Sequence, residues 1–233
     1  MTTIAANLQA VRNRIAAACA AAGRPAAAVA LLAVSKTWPA AAVREAAAAG
    51  QRAFGESYVQ EAVAKIEALQ DLDAGAVEWH FIGPLQSNKT KPVAENFAWV
   101  HSIERLKIAE RLSAQRPAGM PPLNVCLQVN VSGEASKSGC APLAAPALAR
   151  AVAQLPNLRL RGLMAIPEPT ADSALARRRF ASLRQLRDRL MADGLQLDTL
   201  SMGMSHDLES AIMEGATIVR VGTAIFGERV YST

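Results

Sequence analysis

Apolar positions along this chain fall into two kinds of segment that alternate. Eight short apolar segments recur at fairly even spacing, near residues 30–35, 52–55, 78–83, 99–103, 124–130, 160–166, 199–203 and 217–222. Several run without alternation, as in Val125-Cys126-Leu127-Gln128-Val129. Continuous apolar runs of this length predict parallel strands covered on both faces. Between them lie segments of helical period. Over 57–70, Val59, Val63, Ile66 and Leu69 form an apolar stripe. Ser57-Tyr58-Val59-Gln60 reads as a capping box, and Glu61 with Lys65 as an outward i,i+4 pair. Leu175, Leu183, Leu186 and Leu190 give a second stripe, and the alanine-rich residues 4–22 an extra helix before the first strand.

Eight strands alternating with helices predict a (β/α)8 barrel over residues 1–233, an α/β fold in one domain. An open doubly wound sheet is the alternative. No Pro/Gly/Ser-rich linker divides the chain. The run Arg116-Pro117-Ala118-Gly119-Met120-Pro121-Pro122 reads as a helix-to-strand loop.

Of the 233 residues, 51% are hydrophobic, enough for a full core. A net charge of +5 suits anionic small molecules and gives little support to nucleic-acid binding. The densest basic cluster is Arg177, Arg178, Arg179, Arg184, Arg187 and Arg189. It fits a solvated helix face. Three cysteines without metal spacing argue for a reducing compartment and against a disulfide framework. With no signal peptide and no apolar run of roughly 20 residues, a cytoplasmic protein without membrane spans is expected.

In a barrel of this kind, chemistry belongs at the C-terminal ends of the strands. Lys36 stands there, at the tip of the apolar run 29–35. Partial desolvation would favour its neutral, nucleophilic amine. Such a lysine can hold a carbonyl cofactor, attack a carbonyl substrate or merely cap the strand. Gly55-Glu56-Ser57, His80 with Gly83 to Lys89, and Asn130 with Ser132, Gly133, Glu134 and Lys137 end other strands. Ser201-Met202-Gly203-Met204-Ser205 and Arg220-Val221-Gly222-Thr223 end the last two.

Loops after strands seven and eight, beside a short helix, are the usual phosphate site of this fold. Ser201, Gly203, Gly222 and Thr223 suit that role, because small residues let backbone amides approach an anion. They also suit ordinary tight turns. A lysine facing a phosphate site fits pyridoxal 5'-phosphate. Arg220 would then reach the pyridine nitrogen and keep it unprotonated, since arginine does not give up its proton. That weakens the ring as an electron sink. Otherwise Arg220 pairs with Glu214 or Glu228. His80 reads as a general base or a hydrogen-bonded core residue, and His101 as structural. His206 is expected in the first turn of a helix capped by Ser205. Met164, Met202 and Met204 read as barrel filling. The three histidines give no metal spacing.

Six motifs then carry a resemblance. They are Ala33-Val34-Ser35-Lys36; Phe54-Gly55-Glu56-Ser57-Tyr58-Val59-Gln60-Glu61; Trp79-His80-Phe81-Ile82-Gly83-Pro84-Leu85-Gln86-Ser87-Asn88-Lys89; Gly162-Leu163-Met164; Ser201-Met202-Gly203-Met204-Ser205; and Arg220 through Gly227. In this order, over about residues 7–229, they resemble the pyridoxal phosphate homeostasis proteins, the YggS/PROSC family. The resemblance implies a fold like the barrel domain of alanine racemase, with pyridoxal 5'-phosphate held as a Schiff base on Lys36. It implies phosphate contacts from the Ser201 region, Gly222 and Thr223, and Arg220 at the ring nitrogen. Met202, His80 and Asn88 complete the cofactor-binding set. It further implies cofactor buffering or delivery, bearing on amino-acid and keto-acid balance, with no assigned catalysis. Apo pyridoxal-phosphate enzymes are possible recipients, and a monomer is expected. Ser57 stands where the family usually has Asn. A weak amino-acid racemase using Lys36, with His80 as second base, is the main alternative. A Schiff-base lyase or aldolase is another.

Overall fold

The computed structural model describes residues 3–72, 77–133 and 138–228. Its eight strands are β1 (Ala30–Val34), β2 (Ala53–Glu56), β3 (Glu78–Phe81), β4 (Trp99–Ile103), β5 (Leu123–Gln128), β6 (Leu158–Met164), β7 (Thr199–Ser201) and β8 (Ile218–Val221). They close into a barrel in chain order, every pair parallel, with β1 against β8. Closure rules out the open-sheet alternative. The expected strands are all present, with ends shifted by one or two residues; Ile82 and Gly83, and the residues after Ser201, lie outside the ladder.

The helices α1 (Ile4–Ala21), α2 (Ala40–Ala48), α3 (Val59–Glu67), α4 (Thr90–Asn96) and α5 (Leu106–Gln115) surround the first half of the barrel. Those of the second half are α6 (Ala145–Ala153), α7 (Ser173–Ala192), α8 (Leu208–Met213) and the single turn α9 (Thr223–Phe226). From α2 to α8 the helices turn apolar residues inward; α7, for instance, buries Phe180, Leu183, Leu186 and Leu190. The extra helix α1 starts on the Thr3 hydroxyl, which accepts from the Ala6 N–H, and packs against α8 and α9.

The arginines of α7 are mostly ion-paired. Arg177 and Arg184 both reach Glu214, at 2.7 and 3.2 Å, and Arg179 reaches Glu168. Glu214 is therefore engaged by α7, not by Arg220.

α3 departs from the sequence pattern in two ways. Its N-cap is Tyr58, with no side-chain cap, so Ser57 forms no capping box. Lys65 is buried, and its Nζ reaches Glu56 Oε1 at 2.6 Å as well as Glu61 Oε1 at 3.0 Å. The outward i,i+4 pair is in fact one side of a buried cluster. It forms because Glu56, at the end of β2, faces the helix layer and demands a cation.

The lumen differs from the helix-facing core. Trp99, Cys126 and Met164 form a small apolar cluster of their own. His80, stacked on Trp99 with 5.3 Å between ring centroids, lies beside them.

Candidate cofactor site at the barrel mouth

Lys36 follows β1 after Ser35 and lines a cleft of about 180 Å³ at the C-terminal mouth. Two devices hold it there. Thr37 has φ of 70°, a left-handed conformation that costs a β-branched residue about 1–2 kcal/mol. Its N–H donates to Glu61 Oε1 at 2.5 Å. Glu61 is fixed in turn by Lys65, which also donates to the carbonyl of Ser35 at 2.9 Å. The Glu56–Lys65–Glu61 cluster, with Glu56 and Lys65 buried, thus grips the backbone on both sides of Lys36. Glu56 accepts from the Ser35 hydroxyl at 2.7 Å, while its Oε2 has no partner among the described residues. Burial raises its pKa, and the attraction and hydrogen bond of Lys65 oppose that rise.

The cleft is also lined by Arg220, Gly222, Thr223, Ser57, Met204, Ser205 and His206, with Val34, Ile82 and Ile166 as apolar wall. Arg220 is buried. Its two terminal nitrogens donate to Ser201 Oγ at 2.7 Å and to the carbonyl of Ala165 at 2.8 Å. Burial lowers its pKa to about 10, which leaves it a cation at neutral pH. Gly222 lies so close to β1 that a Cβ there would sit 3.1 Å from the carbonyl oxygen of Val34. At Thr223, α9 begins, and the first N–H groups of a helix have no partners inside it.

Of the residues expected at the cofactor, the structure brings Lys36, Arg220, Gly222 and Thr223 together. It sets the others apart. Ser201 is fully buried, one layer below the mouth, with its hydroxyl between Arg220 and His101. Met202 is fully buried in the main core. Gly203 backs onto α8, where a Cβ would come within 2.6 Å of the Cβ of Ala211. Asn88 is exposed, in a turn after β3 that does not reach the cleft. His80 faces a second cleft at the opposite, N-terminal end, lined also by Glu78, Trp99 and Arg161. Both its ring nitrogens are engaged, by Glu78 and by His101. It is in no position to serve as a second base beside Lys36.

The chain turns sharply after β7, where Asp207 Oδ1 accepts from the Met204 N–H at 2.6 Å. That turn presents Ser205 and His206 to the cleft. Ser205 therefore does not cap α8, whose N-cap is Asp207. The expected residues Glu134 and Lys137 lie outside the described ones. Asn130 is described; its side-chain oxygen accepts from the Gly133 N–H at 3.0 Å.

The cleft suits the expected cofactor by its own chemistry. It joins an amine, a buried guanidinium, a glycine-opened helix start and apolar walls from Val34, Ile82 and Ile166.

The family model for the N-terminal domain of alanine racemase matches residues 6–230. The pyridoxal phosphate homeostasis protein of Pseudomonas aeruginosa is 68% identical, over 99% of this chain and 98% of the relative. The chain belongs to the pyridoxal phosphate homeostasis protein family. The Escherichia coli K12 member is 55% identical over 100% of this chain and 99% of its own. Among solved structures, PipY of Synechococcus elongatus PCC7942, described with pyridoxal 5'-phosphate bound, superposes with a TM-score of 0.84. It is 39% identical, over 97% of this chain and all of that one. Alanine racemase from Corynebacterium glutamicum, 17% identical, matches with a TM-score of 0.66 over 94% of this chain and 60% of its own, and shares the fold.

Three free cysteines are described, two of them buried. Among the described residues no cluster of side chains suits a metal ion, and no helix is long and apolar enough to cross a membrane.

Proposed function

We propose that this protein binds pyridoxal 5'-phosphate at the barrel mouth and serves its homeostasis, by buffering the cofactor or handing it on. The observation that carries this reading is the gathering of Lys36, Arg220, Gly222 and Thr223, from the first and last strands, around one cleft. When bound, the cofactor supplies an aldehyde that a lysine amine holds covalently and reversibly. Lys36 is the amine in reach. Gly222 and Thr223, with the first N–H groups of α9, are the anion partners, and Ser205, expected as a helix cap, adds a hydroxyl. Arg220 meets the ring side as a permanent cation, which disfavours a proton on the pyridine nitrogen.

A carrier is also favoured over a racemase because His80, the base that chemistry would have used, is committed at the other end of the barrel. We extend the proposal to a cytoplasmic monomer that serves apo-enzymes.

The test is loading of the purified protein with pyridoxal 5'-phosphate, borohydride reduction and peptide mass spectrometry. The label is expected on Lys36 and absent from Lys36→Ala. A protein that takes up no cofactor, or a label on another lysine, would overturn the proposal. Transfer to an apo-enzyme faster than release into buffer would support delivery; equal rates would reduce the role to buffering. Equilibrium sedimentation checks the monomer.

A further inference from the structure

Five polar side chains form a continuous line through the lumen, from the floor of the barrel to the cofactor cleft. Glu78 Oε1 lies 2.8 Å from His80 Nε2, and His80 Nδ1 lies 2.9 Å from His101 Nε2. His101 Nδ1 lies 2.8 Å from Ser201 Oγ, which accepts from Arg220 at 2.7 Å. His101 is on β4 and Ser201 on β7, strands that do not touch in the sheet, so this bond crosses the lumen.

Its two ends fix the direction of every proton. Arg220 only donates, and an ionised Glu78 only accepts. Glu78 therefore takes the Nε2 proton of His80. The bare Nδ1 of a neutral His80 takes the Nε2 proton of His101, and the bare Nδ1 of His101 takes the hydroxyl proton of Ser201. The oxygen of Ser201 is left to accept from Arg220. Worked from the other end, the result is the same. Among the described residues the Ser201 hydroxyl makes just these two bonds, so its proton goes to His101. Four links point one way and none is in conflict. Burial lowers the pKa of both rings, that of His101 well below its usual value, which keeps them neutral.

Arg220 gains most from this. Among the described residues no carboxylate forms an ion pair with it, yet it is a buried cation. A desolvated charge in that position needs oriented dipoles.

We propose that Glu78, His80, His101 and Ser201 are positioning residues, a one-way hydrogen-bond relay that anchors Arg220 and joins it to a carboxylate at the far end of the barrel. The floor carboxylate is half exposed, so the relay has one end in solvent and the other beneath the cleft. Its link to the cofactor rests on the function proposed above; the relay itself does not.

The test uses the full chain, dialysed free of small molecules and labelled with 15N at histidine and arginine. At pH 7, His80 and His101 are expected neutral and protonated on Nε2. A proton on Nδ1 of either ring, or a charged ring, overturns the relay. Glu78→Lys replaces the floor acceptor by a donor. Both rings should then move to Nδ1–H, two donors should crowd Ser201 Oγ, and the Arg220 guanidinium protons should exchange about tenfold faster, as for one lost charged hydrogen bond. Unchanged exchange overturns the proposal. Glu78→Gln, whose carbonyl still accepts, should keep the wild-type tautomers; a flip there also overturns it. If the lysine variant does not fold, His80→Phe serves, keeping a ring against Trp99 but offering His101 no acceptor. Ser201 and Arg220 still direct His101, so a neutral His101 that keeps its proton on Nε2 is then the supporting result, and a proton on Nδ1 the opposing one. Loading with pyridoxal 5'-phosphate is a separate arm. A shifted visible absorption maximum in Glu78→Lys ties the relay to the cofactor, and an unshifted one breaks that tie. A wild-type protein that takes up no cofactor overturns the function and leaves the magnetic-resonance outcomes intact.

Discussion

Replacing Lys65 by Met should make the stability of this barrel depend steeply on pH. Lys65 Nζ holds Glu56, Glu61 and the Ser35 carbonyl at 2.6, 3.0 and 2.9 Å. Methionine fills a similar volume and supplies none of these bonds. Glu56 is fully buried and keeps only the Ser35 hydroxyl. The variant has two ways to fold. A carboxylate left charged and unpaired costs about 3–5 kcal/mol. Protonating a carboxyl of ordinary pKa 4.5 instead costs about 5 kcal/mol at pH 8 and about 1.4 kcal/mol at pH 5.5. At pH 8 the two routes are nearly equal, so a loss of about 3–5 kcal/mol is expected. At pH 5.5 protonation wins, and the loss should fall to about 1.5–2 kcal/mol. The sign follows from linkage. Burial raises the folded pKa of Glu56, and removing Lys65 raises it further, so stability is lost as pH climbs above 4.5. Urea denaturation of both proteins at the two pH values is the assay. In thermal melts at pH 8 the loss corresponds to about 6–20 °C. A loss below about 1 kcal/mol at pH 8, or the same loss at both pH values, would show that Lys65 is not what neutralises Glu56. Glu56→Gln added to Lys65→Met should recover most of the stability at pH 8, because no buried charge remains.

Other consequences are as direct. Gly162→Ala would put a Cβ 1.8 Å from the carbonyl oxygen of Thr199, so β6 and β7 must part; a loss above about 4 kcal/mol, or no soluble protein, is expected in denaturant titration. Thr37→Gly removes left-handed strain of about 1–2 kcal/mol and adds about 0.5–1 kcal/mol of chain entropy, so a melt unchanged or slightly raised should result. His80 and His101 have folded pKa values below the ordinary 6.5, so their contribution is present above 6.5 and lost as pH falls. His101→Gln should flatten the fall in unfolding free energy between pH 6.5 and 5 by up to about 1.4 kcal/mol per pH unit. Glu56 acts in the opposite sense in both proteins and cancels in the difference.

The barrel was legible because its strands are covered on both faces and so appear as plain apolar runs. Lys36, Arg220, Gly222 and Thr223 were legible because a strand tip and a glycine-containing turn are local features. What escaped was whatever depends on distant neighbours. The His101–Ser201 bond joins residues 100 apart in sequence, and nothing near either one announces the other. Lys65 follows the pattern of an exposed pair with Glu61. Only Glu56, facing outward from β2, draws it inside. Ser201 and Ser205 share one motif, and β7 ending at Ser201 decides which hydroxyl meets the cleft. Ser57 looked like a cap because Gln60 follows it at the right distance, yet Tyr58 takes the cap position and Ser57 lines the cleft.

The pairing of β1 with β8, Leu32 beside Arg220, also bears on when the site comes into being. Lys36 leaves the ribosome well ahead of Arg220 and Gly222. At typical rates of synthesis the amine waits roughly 10–40 s for the residues that complete its cleft. A growing chain carries Lys36 without its cleft, and the proposed cofactor capture belongs to the moment the barrel closes.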